Sequence, residues 1–120
     1  MEDSQYPTSF NKLAEEIHRD NRKAGWWPHY FPETYATKIA LIHSEVSEML
    51  EGLRKGIKDD KLTHRSAEEV ECADVFIRLL DYAGARRFDI DGAIMEKRAY
   101  NAQRTDHKLE SRGALGGKQF

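Results

Sequence analysis

Cysteine is all but missing from this chain of 120 residues: Cys72 is the single one, so no internal disulfide can form. A reducing cytoplasm is the natural compartment for such a composition. Long apolar runs are missing as well. No stretch approaches the roughly 20 residues needed to span a bilayer, and the opening residues, MEDSQYPTSF, are too acidic and polar for a secretory signal peptide. An excess of one charge is also lacking. With 19 basic against 21 acidic residues the net charge is −2, which gives neither nucleic acid nor an anionic membrane surface an electrostatic reason to bind. Finally, there is no β-alternation of useful length and no repeat at the periods of solenoid proteins.

What remains is a helical composition. The hydrophobic fraction of 39% supplies one modest core, and the charged fraction of 33% suits helices with one solvated face. The spacing predicts four principal helices. The first runs from about Ser9 to Lys23, capped by Thr8 or Ser9, with Phe10, Leu13, Ala14 and Ile17 on one face and Gly25 ending it. The second starts near Pro32 or Glu33 and ends near Gly56, with a stripe of Ile39, Ile42, Val46, Met49 and Leu53, widened by Leu41 and Leu50. A polar loop, GIKDDKLTHR, follows. The third begins at Ser66, where Ser66 and Glu69 form a capping-box pattern, and presents Val70, Ala73, Phe76, Ile77 and Leu80 before stopping around Gly84 to Arg87. The fourth starts near Asp89 and carries Ile90, Ala93, Ile94 and Tyr100, with Gly92 weakening its first turn. Residues 1–104 therefore read as one all-α domain, and residues 105–120, polar and glycine-rich, as a mobile tail.

Two of these helices carry paired acids three residues apart: Glu45 and Glu48 in EVSE, Glu71 and Asp74 in ECAD. At that spacing two side chains occupy neighbouring turns of one face. Each pair is half of a site for a hard divalent cation, and two such helices side by side would surround an ion with oxygen ligands, as magnesium prefers. Against this, acid pairs arise by chance in a chain one-third charged, as Glu48 with Glu51 and Glu68 with Glu71 show. Glu45 and Glu48 border the apolar stripe of their helix, whereas Glu71 and Asp74 lie further from the centre of theirs. On the fourth helix Lys97, Asn101 and Arg104 share a face, a set suited to phosphate and sugar, or equally to water.

The order EVSE, ECAD, KRAYNAQR resembles the all-α nucleoside triphosphate pyrophosphohydrolases of the MazG-like superfamily, over residues 33–104. Either acid motif alone is a poor signal; their order, spacing and helical setting are what make the resemblance specific. It implies a four-helix MazG-like bundle assembled as a homodimer or homotetramer, with sites near subunit contacts. It implies that Glu45, Glu48, Glu71 and Asp74 bind Mg²⁺, with Mn²⁺ as a substitute. It implies that Lys97 and Arg104 contact the triphosphate of a nucleoside or deoxynucleoside triphosphate, that Asn101 contacts phosphate or sugar, and that Arg54 or Lys55 adds a phosphate contact. Water would attack the α-phosphorus, releasing pyrophosphate, with Glu45 or Glu48 as the proton acceptor. Sequence does not separate ligand from base in that pair.

Two further clusters admit two readings each. The stretch GWWPHYFPE, with Trp26 and His29, is either a base pocket, as its position in similar enzymes suggests, or a packed loop closing the bundle. The tail, with His107, Lys108 and Lys118, either folds over a nucleotide or stays free. Of rival functions, a di-iron bundle needs two Glu-x-x-His pairs on separate helices. The chain has one, Glu15 with His18, and His43 lacks the right partner. A non-catalytic helical interaction or regulatory module is the remaining alternative.

Overall fold

Residues 9–27, 32–104 and 116 are described in the computed structural model. They form four α-helices: α1 (Phe10–Lys23), α2 (Pro32–Lys55), α3 (Ala67–Arg86) and α4 (Ile90–Gln103). The all-α class expected from the sequence is what folds. Among the described residues the only strand-like pairing is an isolated antiparallel bridge between Lys58 and Ser66. The tail, His29 and the rest of its loop through Phe31 lie outside the described residues.

The local signals act as helix signals should. Ser9 caps α1 by accepting from Lys12 N at 3.1 Å, and Ser66 caps α3 by accepting from Glu69 N at 3.0 Å. At the end of α1 the Trp26 N–H reaches Asn21 O and the Gly25 N–H reaches Arg22 O, the paired bonds that satisfy the last carbonyls of a helix closed by a left-handed residue. Gly92 spends its N–H on Asp89 Oδ1 at 2.9 Å, so it completes the cap of α4 rather than weakening the helix start.

The chain divides into two compact units, residues 1–88 and 89–120. In the first, α3 packs against both α1 and α2. Two glycines bring the backbones close. A Cβ on Gly84 would stand 2.5 Å from Ala14 O, and one on Gly52 2.8 Å from Glu68 N, so neither position admits a side chain without the helices moving apart. Gly84 thereby seats α1 on the last turns of α3, and Gly52 seats the end of α2 on the start of α3.

The burial pattern departs from the simple stripes. On α1 the buried residues are Ala14 and His18, while Phe10 is exposed. On α3 they are Leu80, Asp81 and Ala83, while Phe76, Ile77 and Leu79 are exposed. The physical reason is that α3 serves two neighbours. Its buried stripe, where Asp81 meets His18, faces α1; a second face, carrying Arg78, is given to α2. At the far end of α2 and α3, Arg86 lies over the ring of Tyr35 at 4.4 Å, and Tyr35 meets Tyr82 edge to face at 6.0 Å.

The second unit holds α4. Lys97 Nζ sits 4.8 Å from the centre of the Tyr100 ring and the Arg104 guanidinium 5.9 Å from it. Lys97 and Arg104 thus meet at the Tyr100 ring, although Arg104 lies just past the end of α4 in extended backbone rather than on the helix face expected for it.

Candidate functional site

Antiparallel packing of α2 on α3 decides which acids meet. The pairs Tyr35 with Tyr82, Glu45 with Arg78, and Gly52 with Glu68 run in opposite directions along the two helices. This register brings Glu45 of α2 beside Glu71 and Asp74 of α3, with one carboxylate oxygen from each lying within 4.8 Å of the others. All three are half-buried. Glu48, one turn further along α2, is exposed and stands close enough for its charge to act on Glu71.

Crowding of like charge leaves its mark. Burial pushes the Glu71 carboxyl above the ordinary carboxylate range, and the charges of Asp74, Glu45 and Glu48 push it further; a hydrogen bond with Asp74 adds to the rise. Asp74 is raised too, by burial first and then by Glu45. Its hydrogen bond with Glu71 and the charge of Arg78 pull it back, and Asp59 adds a smaller rise. A group of acids that resists ionisation is one that a divalent cation would relieve.

The acids separate two cavities. One, of about 300 Å³, is lined by Glu45 and Asp74 together with Arg78, Lys38, Asn21 and Trp26. The other, of about 280 Å³, is lined by Glu48 and Glu71 together with Lys55, Lys58, Asp59 and Gly52. The loop that supplies Lys58 and Asp59 is firmly built. Asp59 N–H donates to Arg65 O, Ala67 N–H donates to Ile57 O, and the Asp59 carboxylate accepts from the N–H groups of Lys61 and Leu62. The polar stretch GIKDDKLTHR is therefore a pinned turn that presents Lys58 beside Lys55.

Comparison with known proteins adds nothing to this geometry. No family model, curated protein or solved structure matches the chain.

Of the residues singled out by sequence, then, Glu45, Glu71 and Asp74 converge, Glu48 and Lys55 share the cavity next to them, and Trp26 lines the other. Arg54 instead pairs with Glu51 at 3.3 Å on the exposed side of α2. Lys97, Asn101 and Arg104 belong to the second unit, where Asn101 Oδ1 is buried with no hydrogen-bond partner among the described residues.

Several residues at the site escaped the sequence reading. Arg78 Nε donates to Glu45 Oε1 at 2.7 Å. Lys38 Nζ donates to Trp26 O at 2.7 Å and rests 4.4 Å over the Trp27 ring, tying the aromatic stretch to α2. Behind the first cavity, Asp81 accepts from Trp27 Nε1 with both oxygens at 2.9 Å, and its Oδ1 lies 2.9 Å from His18 Nδ1. Trp27, His18 and Asp81 are all buried, so Trp27 rather than Trp26 is the packed member of the pair. A signal for this existed: Asp81 follows two leucines in RLLDYA, and an acid on a buried face needs partners.

Proposed function

We propose that this protein is a Mg²⁺-dependent nucleoside triphosphate pyrophosphohydrolase of the MazG-like kind. The observation that carries this reading is the convergence of Glu45, Glu71 and Asp74 from two helices onto one point flanked by two cavities. The donor set fits the metal: carboxylate oxygens only, no sulfur and no imidazole, as a hard cation requires.

In this reading Glu45, Glu71 and Asp74 hold the cation. When bound, it neutralises charge on phosphoryl oxygens and lowers the pKa of the attacking water. Glu48 sits beside that group, exposed and facing the cavity it shares with Glu71, where it takes the proton from water. Lys55 and Lys58 line the same cavity and receive phosphate oxygens as point charges. Trp26, Asn21 and Lys38 line the other cavity, which takes the nucleoside and the end of the phosphate chain that reaches across the acids. In the second unit, taken by itself, Lys97 and Arg104 stand beside the Tyr100 ring and are cations suited to phosphate.

Pyrophosphate release from a panel of canonical and modified NTPs and dNTPs, with Mg²⁺ and with EDTA, tests the proposal. Release that requires the metal and prefers one base is the expected result. A folded protein that releases none from any of them would return the chain to the class of non-catalytic helical modules.

We also propose that the chain works as a homodimer or homotetramer. Ile39, Leu41, Val46, Leu50 and Leu53 on α2 and Phe76, Ile77 and Leu79 on α3 are all exposed, and among the described residues no large side chain is fully buried. Exposed apolar side chains in that number support association with further copies of the chain. Light scattering on the full chain is expected to give the mass of two or four copies, and a stable monomer at micromolar concentration would remove this part of the proposal.

A further inference from the structure

The proposed cation site contains a cation of its own. Arg78 stands one turn after Asp74 on α3 and binds the same Glu45 that completes the acid group, Nε to Oε1 at 2.7 Å. The Glu45 side chain is only 16% exposed, so this bond is sheltered, while Arg78 at 40% keeps a path to solvent and to the cavity it lines with Lys38, Asn21 and Trp26. A carboxylate oxygen that accepts from a guanidinium has less lone-pair density to offer a metal, and the guanidinium charge repels an incoming one.

We infer that Arg78 is a built-in counter-cation that couples metal loading to anion binding: it competes with a divalent cation for Glu45, and when the cation takes that carboxylate the guanidinium turns into the neighbouring cavity and receives an anionic group of the ligand. The inference rests on the acid group being a metal site, as proposed above. It adds an order of events. The metal binds first, and only then does the cavity that already holds Lys38 gain a second cation. An anion arriving early meets an arginine that is engaged elsewhere, so phosphate compounds without metal bind poorly. Arg78 already lines that cavity, so the exchange asks for a change of side-chain rotamer.

The test measures Mn²⁺ binding to the full chain by calorimetry without nucleotide, then pyrophosphate binding in the presence of Mn²⁺. The proteins compared are the parent, Arg78→Gln, Arg78→Lys and Glu71→Gln. Arg78→Gln is expected to bind Mn²⁺ about threefold more tightly than the parent, the size of a partly exposed ion pair released from competition. It is also expected to bind pyrophosphate about tenfold more weakly once Mn²⁺ is present. Arg78→Lys keeps the charge and is expected to stay near the parent in both. Mn²⁺ affinity that is unchanged or weaker in Arg78→Gln would show that the arginine only positions Glu45, and overturns the inference. Unchanged pyrophosphate affinity overturns the anion half of it. A parent that binds no Mn²⁺, or a Glu71→Gln variant that binds it as well as the parent, removes the metal-site reading itself and the inference with it.

Discussion

Glu71→Gln is expected to leave the metal-free protein at least as stable as the parent while removing the stabilisation by Mg²⁺ that the proposed site would give. Glutamine keeps the shape of the side chain and deletes its charge. In the parent the native state holds the Glu71 proton more tightly than the unfolded chain does, because burial and the neighbouring acids raise its pKa. Between the ordinary carboxylate value and the raised one the native state therefore binds more protons than the unfolded state, and stability falls as pH rises through that window. Above that window the full penalty is present, and the same sign holds for Asp74. The substitution removes one charge from the group and relieves part of that penalty.

The cation acts in the opposite sense. At a concentration one hundred times its Kd it would stabilise the parent by about 2.7 kcal/mol, on the order of 10 °C in Tm for a domain of this size. Because the metal must displace protons from the raised carboxyls, this shift is expected to shrink as pH falls from about 7 to about 4.5. Thermal melts of parent and variant with Mg²⁺ and with EDTA, at both pH values, read all of these terms. A variant stabilised by Mg²⁺ as strongly as the parent would show that the acids are only a crowded patch.

The second large effect concerns the scaffold behind the site. Asp81→Ala is expected to destabilise the protein by about 3 kcal/mol, visible as a lower urea midpoint with little change in slope. Asp81 is 6% exposed and serves both Trp27 Nε1 and His18 Nδ1. Alanine leaves a buried indole N–H and a buried imidazole nitrogen without this partner. It also loosens the edge-to-face contact of His18 and Trp27, whose ring centres lie 5.1 Å apart. Asp81 also borders the cavity that holds Glu45, Asp74 and Arg78, so if the proposed hydrolysis is right, weaker seating of α1 is expected to raise its KM more than it lowers its kcat. A variant as stable as the parent would mean that water replaces the carboxylate at little cost.

Different parts of this protein were legible at different levels. Helix identity and ends follow from local chemistry. Ser9, Ser66 and Asp89 cap whichever helices follow them, and Gly25 closes α1 through bonds to residues within the same helix. No distant contact is needed to place them. Which faces are buried does not follow, because one apolar stripe per helix assumes one neighbour per helix. α3 has two, so the inward positions of Asp81 and Ala83 and the exposure of Phe76 and Ile77 depend on where α1 and α2 dock.

The same division runs through the site. Spacing within a helix was enough to pair Glu45 with Glu48 and Glu71 with Asp74 on their own faces. Only the antiparallel register of α2 against α3 decided that Glu45, Glu71 and Asp74 form the inner group with Glu48 at its edge. Arg78 was invisible for the same reason: its significance is its distance to Glu45, thirty-three positions away in the chain. By itself, then, the sequence determined an all-α chain of four helices, three with their caps, and two sets of acids, since those depend on interactions a few residues long. Which acids share a point, which cation guards them and which acid is buried behind them were decided by tertiary packing, because electrostatic and hydrogen-bond energies depend on separation in space rather than along the chain.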